Sequence, residues 1–295
     1  MLVKLYINSA GEIYKVGENP DKEEITIPEI VDGIKVVSLA ESLFLERDDI
    51  LTVKILAPIK SIPKHCFRSS GVSYVYLHKE TNCICECAFY ECRLEKIEGG
   101  LIKSIHGRAF YGAYIHELAL GSIENIGPKV FAEATIKKGT VALIDVQNIG
   151  REAFMGCTIK NGMVLNKIKV IKKRAFLFSD IPRIEINSKK LKIETSVFEK
   201  SYLEVFKCSA EIQIISRFTF QDCYKLRFIE IASDKTLEIQ DFAFQHCKSL
   251  QTPLNFPWAM NVGKEAFDGS GISVYLPETI TCIGPTKHEK IYFLN

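Results

Sequence analysis

The stretch Ile149 to Ile168, IGREAFMGCTIKNGMVLNKI, decides how the chain is read. Its Phe154 belongs to a series, Phe44, Phe67, Phe89, Phe110, Phe131, Phe154, Phe176, Phe198, Phe220, Phe244 and Phe267, with spacings of 23, 22, 21, 21, 23, 22, 22, 22, 24 and 23 residues. Eleven copies of one unit mark a repeat array rather than unrelated domains. Five positions before each ring stands an aliphatic residue, Ile149 here and Leu39, Ile62, Ile171 or Val262 elsewhere. The residue just before the ring is mostly small, as at Ala88, Ala109, Ala153, Ala175 and Ala243. The third residue after it is Ser, Cys or Ala in every unit but the first, which has Arg47. Further on, aliphatics alternate as in Ile184-Glu185-Ile186, the pattern of a half-buried strand.

Each unit therefore reads as one coil of a solenoid, which buries its apolar face only against its neighbours and needs caps at both ends. The segment around the ring, as in REAFMGC, lacks β-branched residues and is expected to form a short helical turn. Residues 1–23 read as an N-terminal β-hairpin cap, with Leu5, Ile7, Ile13 and Val16 flanking the turn Asn8–Gly11. Residues 24–284 form the array, and 285–295 a capping strand, KIYFL. In the last, degenerate coil Ile283 fills the aliphatic slot and His288 stands where the ring belongs. Local departures are Gly139 and Gly162, which replace the first strand aliphatic, and the irregular LQTPLNFPWAMNV.

Ile, then Ala-Phe five residues on, then Cys or Ser, then alternating aliphatics at this period resembles the BspA-like class of leucine-rich-repeat proteins. The segments EITIPEIVDGIKVVSLAESLF (Glu24 to Phe44) and VYLPETITCIG (Val274 to Gly284) look like that family's opening and inter-repeat segments. The resemblance covers residues 24–284. It implies a leucine-rich-repeat right-handed superhelix with a parallel β-sheet and short helical turns. It also implies a non-enzymatic recognition surface, often displayed on cells and used in adhesion.

Composition agrees with a folded protein: 47% of residues are hydrophobic and 25% charged, which excludes a disordered chain. No apolar run is long enough to span a bilayer, and the first residues lack the features of a secretory signal. That, with ten cysteines, favours a cytoplasmic protein; a cell-surface or secreted one is expected if a signal has been removed. Net charge is +2, unevenly spread: residues 1–50 carry 5 basic and 11 acidic side chains, residues 160–207 carry 12 basic and 5 acidic.

No catalytic, cofactor or metal site is expected. Walker, dinucleotide and HExxH motifs are absent, and the six histidines follow no unit-to-unit pattern. Cys92, Cys157, Cys223 and Cys247 fill the small inward slot as buried thiols, while a Cys223–Cys247 disulfide on adjacent coils stays open. Cys83, Cys85 and Cys87, with His65 and Cys66 a coil earlier, read as incidental, because alternate residues of one extended segment do not enclose a metal.

Outward strand residues are the candidate partner-binding set: Tyr74, Tyr76, Lys96, Glu98, Glu117, Arg183, Glu185 and Phe228, with Met163 also on that face. Trp258 is a candidate anchor, although it and Phe256 are read as more readily folded back onto the core. Lys169, Lys172, Lys173, Arg174, Lys189, Lys190 and Lys192 form a basic stripe that suits an anionic partner, with nucleic acid disfavoured for want of interleaved aromatics. The expected function is recognition of a protein or glycan partner through the strand face, of the adhesion or host-interaction type. An intracellular scaffold or specificity subunit of a larger complex is the alternative.

Overall fold

All eleven rings of the phenylalanine series are fully buried, and the backbone on either side of each explains how. The computed structural model describes residues 3–21, 24–121, 123–138, 141–142, 145–232, 236–251, 253–288 and 290–294. In every coil the residues two before and two after the ring have positive φ, from 50° at Glu265 to 61° at Phe218 among the non-glycines. A helix would return each N–H to its own turn; here the N–H groups alternate. Arg68 and Ser70 donate within their coil to His65 and Phe67, both at 3.1 Å. His65, Phe67 and Ser69 donate to the Glu86, Ala88 and Tyr90 carbonyls of the next coil, at 3.1, 2.8 and 2.8 Å.

The short helical turn expected from the sequence is thus replaced by a ladder between coils. Among the described residues there is no helix, and so none long and apolar enough to cross a membrane. Left-handed backbone is unfavourable for residues with a Cβ, by roughly 1–2 kcal/mol each. Three coils place glycine there, Gly112, Gly156 and Gly269. At the same place in another coil stands the exposed Glu133 (φ 58°). Glu133→Gly should therefore raise the urea midpoint, a gain of roughly 0.5–1 kcal/mol after glycine's own entropy cost. A lowered midpoint would show that this backbone is not strained.

The chain forms two compact units, Met1–Gly139 and Thr140–Asn295, each a β-solenoid of parallel strands. In the first, the long strands Ile25–Ile27, Thr52–Ile55, Tyr74–Leu77, Arg93–Gly99, Tyr114–Ala119 and Thr135–Lys138 pair in sequence order. A second sheet joins two-residue strands, Ser61–Ile62, Cys83–Ile84, Ser104–Ile105 and Asn125–Ile126. The aliphatic five before each ring ends these short strands and points inward. Leu5–Ile7 and Glu12–Val16 form an antiparallel hairpin whose second strand runs parallel to Ser38–Leu39. Arg47, which breaks the small-residue column, pairs with Asp49 at 2.6 Å and donates to the carbonyls of Val16 and Gly17 at 3.1 and 2.8 Å. It ties the hairpin to the first coil, where no earlier coil exists for a small inward residue to meet.

In the second unit, Met163–Leu165, Arg183–Ile186, Val205–Cys208 and Phe228–Ile231 pair in parallel, and Leu254–Asn255, Val274–Pro277 and Ile291–Leu294 form a further sheet. Met163 aligns with the inward Ile184 and is 1% exposed, so it does not lie on the outer face as the sequence suggested; Val164, aligned with Glu185, does. The cause is Gly162, whose φ of 77° and contact with the Arg183 backbone leave no room for a Cβ. Gly139 lies outside the described residues. His288 sits at 6.2 Å from the Phe267 ring and bonds the Ile272 carbonyl at 2.8 Å.

None of the ten cysteines is in a disulfide, so Cys223 and Cys247 are not bonded to each other. In the small inward column the thiols of Cys92, Cys223 and Cys247 donate to the Phe67, Phe198 and Phe220 carbonyls of the preceding coil, at 2.8, 2.9 and 3.0 Å. Burial pushes the Cys92 and Cys223 thiols up to about 12, which keeps them protonated and inert.

Candidate functional site

The outward strand residues do form continuous rows. In the first unit Tyr74, Lys96, Glu117 and Lys138 lie side by side, and Lys54, Tyr76 and Glu98 make the neighbouring row. In the second, Arg183, Val205 and Phe228 align, beside Glu185, Lys207 and Glu230. Apart from Lys54 and Lys138, their charges pair with one another. Lys96 reaches Glu98 at 2.6 Å and Glu117 at 3.7 Å, Arg183 pairs with Glu185, and Lys207 lies 3.5 Å from Glu230 and over the Phe228 ring. Such exposed pairs add little stability, and a partner docking there must first break them.

The loops that lead from the long strands to the short ones behave differently. In the second unit they enclose a groove of about 970 Å³. Ile168, Leu191, Ile193 and Ile214 supply its apolar lining, and Lys167, Lys169, Lys189, Lys190 and Lys192 its basic side chains, with Glu211 the one acidic residue among the described lining. Lys167 pairs with Asp145, and Lys169 bonds the Gln147 side chain at 2.7 Å. No carboxylate among the described residues pairs with Lys189, Lys190 or Lys192. Ser188, in the same lining, is 9% exposed and its hydroxyl has no partner among the described residues. A buried hydroxyl left unpaired is costly.

The basic stripe is therefore divided. Lys172, Lys173 and Arg174 belong to the next segment, running into the Phe176 turn, and none of them lines the groove. Trp258 is 50% exposed, whereas Phe256 (5%) folds back against Phe244 and Phe267. Trp258 borders a second cavity of about 630 Å³ that shares Gln213 and Ile214 with the groove. The trough thus runs from the lysines past Ile214 to the indole.

Sequence reasoning missed Ile214 and Ser188. Ile214 (40% exposed) carried a signal: it stands before the aliphatic slot, where other coils have Ser61, Ser104, Asn125, Asn148 or Lys192. It also missed rows on the turn face, such as Tyr90 stacked on Tyr111 at 5.1 Å and Phe218 on Phe242 at 5.2 Å.

The sequence profile of a family described as BspA type leucine rich repeat region matches residues 37–160 and 124–251. No curated protein sequence matches the chain. Among solved structures, the pneumococcal vaccine antigen PcpA is 18% identical, over 99% of this chain and 86% of that one, with a TM-score of 0.53. A leucine-rich repeat protein from Bacteroides ovatus is 18% identical over 100% and 99% of the two chains (TM-score 0.47). A leucine rich cell surface protein from Faecalibacterium prausnitzii is 15% identical over 96% and 71% (TM-score 0.46).

Proposed function

This chain belongs to the BspA-type leucine-rich repeat family, and on that premise we propose that it is a non-enzymatic recognition protein that holds an acidic segment of a protein partner in the lysine-lined trough of its second unit. One observation carries the reading: Lys189, Lys190 and Lys192, without carboxylate partners among the described residues, stand beside an apolar lining and a buried hydroxyl that is likewise unpaired among them. Ile214, the one exposed aliphatic side chain of the lining, offers the hydroxyls of a glycan no partner, which costs more than burying aliphatic side chains between acidic ones. The strand face, most of whose charges pair internally, is the second surface, favoured by the exposed Tyr74. Adhesion or host interaction is the setting that we assign; an intracellular scaffold would use the same trough.

The test uses a synthetic peptide of alternating glutamate and leucine, with heparin as a polyanion lacking apolar side chains. The peptide should bind more tightly than heparin, and Ile214→Asp should weaken it at least tenfold, about the loss of one buried aliphatic contact. Tyr74→Ala with Tyr76→Ala should leave it unchanged. If the tyrosine pair abolishes binding and Ile214→Asp does not, the strand face is the site and the trough is not.

A further inference from the structure

The segment Asn82 to Phe89, NCICECAF, divides its three cysteines. Cys87 takes the left-handed position two before Phe89 and is buried at 6% exposure. Cys83 and Cys85 flank the inward Ile84 and remain half-buried on the outer side of the short-strand sheet. There the next coil is in register: Cys83 lies beside Ser104 and Ile84 beside Ile105, which brings His106 alongside Cys85. The exposed His106 ring places Nε2 at 3.6 Å from Cys83 Sγ. One donor atom from each of Cys83, Cys85 and His106 lies within 4.8 Å of the other two.

These distances fit one ion. Zinc held at about 2.3 Å from sulfur and about 2.0 Å from nitrogen, with tetrahedral angles, sets its sulfur and nitrogen ligands roughly 3.5 Å apart and two sulfurs roughly 3.8 Å apart. The first separation is already present, and modest side-chain rotation supplies the second. Two thiolates and one imidazole are a soft donor set that selects zinc-class ions over calcium or magnesium. Ligands in a solenoid gather across coils as well as along one segment, so a third donor 21 residues away completes what an alternating pair cannot.

We propose that Cys83, Cys85 and His106 form a binding site for one thiophilic metal ion of the zinc class, with a water molecule as fourth ligand. Both sulfurs bind as thiolates, so binding releases the thiol protons that they still carry, and the ion sits between the two sulfurs and the imidazole nitrogen. No electron transfer is involved.

The full-length chain, reduced and kept free of oxygen, is titrated with Co²⁺ alone. A thiolate-to-cobalt absorption band in the near ultraviolet should saturate at one ion per chain and be bleached by stoichiometric Zn²⁺. Cys83→Ser and Cys85→Ser should each lose the band, and His106→Gln, at an exposed position, should weaken Co²⁺ more than tenfold, since even outer partners of metal ligands are worth 10–100-fold. Cys282→Ser, altering the one exposed cysteine, should leave the titration as in the wild type. The thermal transition of each variant is followed in parallel, and His106→Gln decides the matter if a cysteine variant does not fold. Absence of a band in the wild type, or a band and affinity unchanged in His106→Gln, overturns the proposal.

Discussion

Phe110→Ala is expected to lower the unfolding free energy by about 3–5 kcal/mol, the range for deleting a buried ring and leaving its cavity. Phe110 is 0% exposed, and its ring lies between Phe89 and Phe131, with centroids at 5.2 and 5.3 Å and planes within 4° and 8°. Removing it leaves both neighbours facing a void, and the stacked backbone ladder prevents the coils from closing over it. In a solenoid, stability is a sum of coil terms and nearest-neighbour interfaces, so a central ring costs two interfaces and the first ring one. Phe44→Ala, whose ring meets only Phe67 in the column, at 4.8 Å, should therefore cost less by roughly 0.5–1.5 kcal/mol, the worth of one aromatic pair. Equilibrium urea unfolding compares the two variants. Equal costs would mean that the column is a row of independent fillers rather than a coupled stack.

The same column shows why so much of the fold was legible in the sequence. A side chain that must meet its own counterpart one coil away is constrained to repeat, so Phe110, the aliphatic Ile105 and the small Ala113 announce their roles by position alone. The turn around the ring did not announce itself. Its left-handed residues include Lys129, Glu133, Arg174 and Phe218, types that carry no left-handed signature. What selects the conformation is the hydrogen bond to the following coil, a tertiary contact that residue-by-residue propensity does not register. Hence REAFMGC read as helical.

The candidate surfaces divide in the same way. Lys189, Lys190 and Lys192 were visible as charge, but the apolar lining beneath them arises from the path of the loops, and the separation from Lys172 and Lys173 from where the short strand Val170–Ile171 ends. Met163 was misplaced because Gly162 shifts the register by one residue, which exchanges the faces of a strand. His106 reads in the sequence as one of six histidines without a pattern, because its partners lie a full coil earlier.

Changing Lys189, Lys190 and Lys192 together to glutamate should weaken the glutamate–leucine peptide by more than about 100-fold. An exposed lysine–carboxylate contact is worth roughly 0.2–1 kcal/mol, and reversal replaces that attraction with a repulsion of similar size. Three such changes reach about 3 kcal/mol, and every 1.4 kcal/mol is tenfold in affinity. All three side chains are exposed, so the thermal transition should stay near that of the wild type. Net charge alone could produce a weaker version of the effect, which a matched variant separates. Lys200, Lys225 and Lys248 are exposed too, follow the phenylalanine turns rather than line the groove, and alter the net charge by the same amount when changed to glutamate. That control should lose less than tenfold, because at 0.1 M salt a charge acts over only about 10 Å. Salt supplies the sign: raising it should loosen the wild-type complex, and should leave the groove variant unchanged or slightly tighter as the new repulsion is screened. Equal losses in the two variants would assign the attraction to the whole molecule, and the groove would no longer be the place where the partner is held.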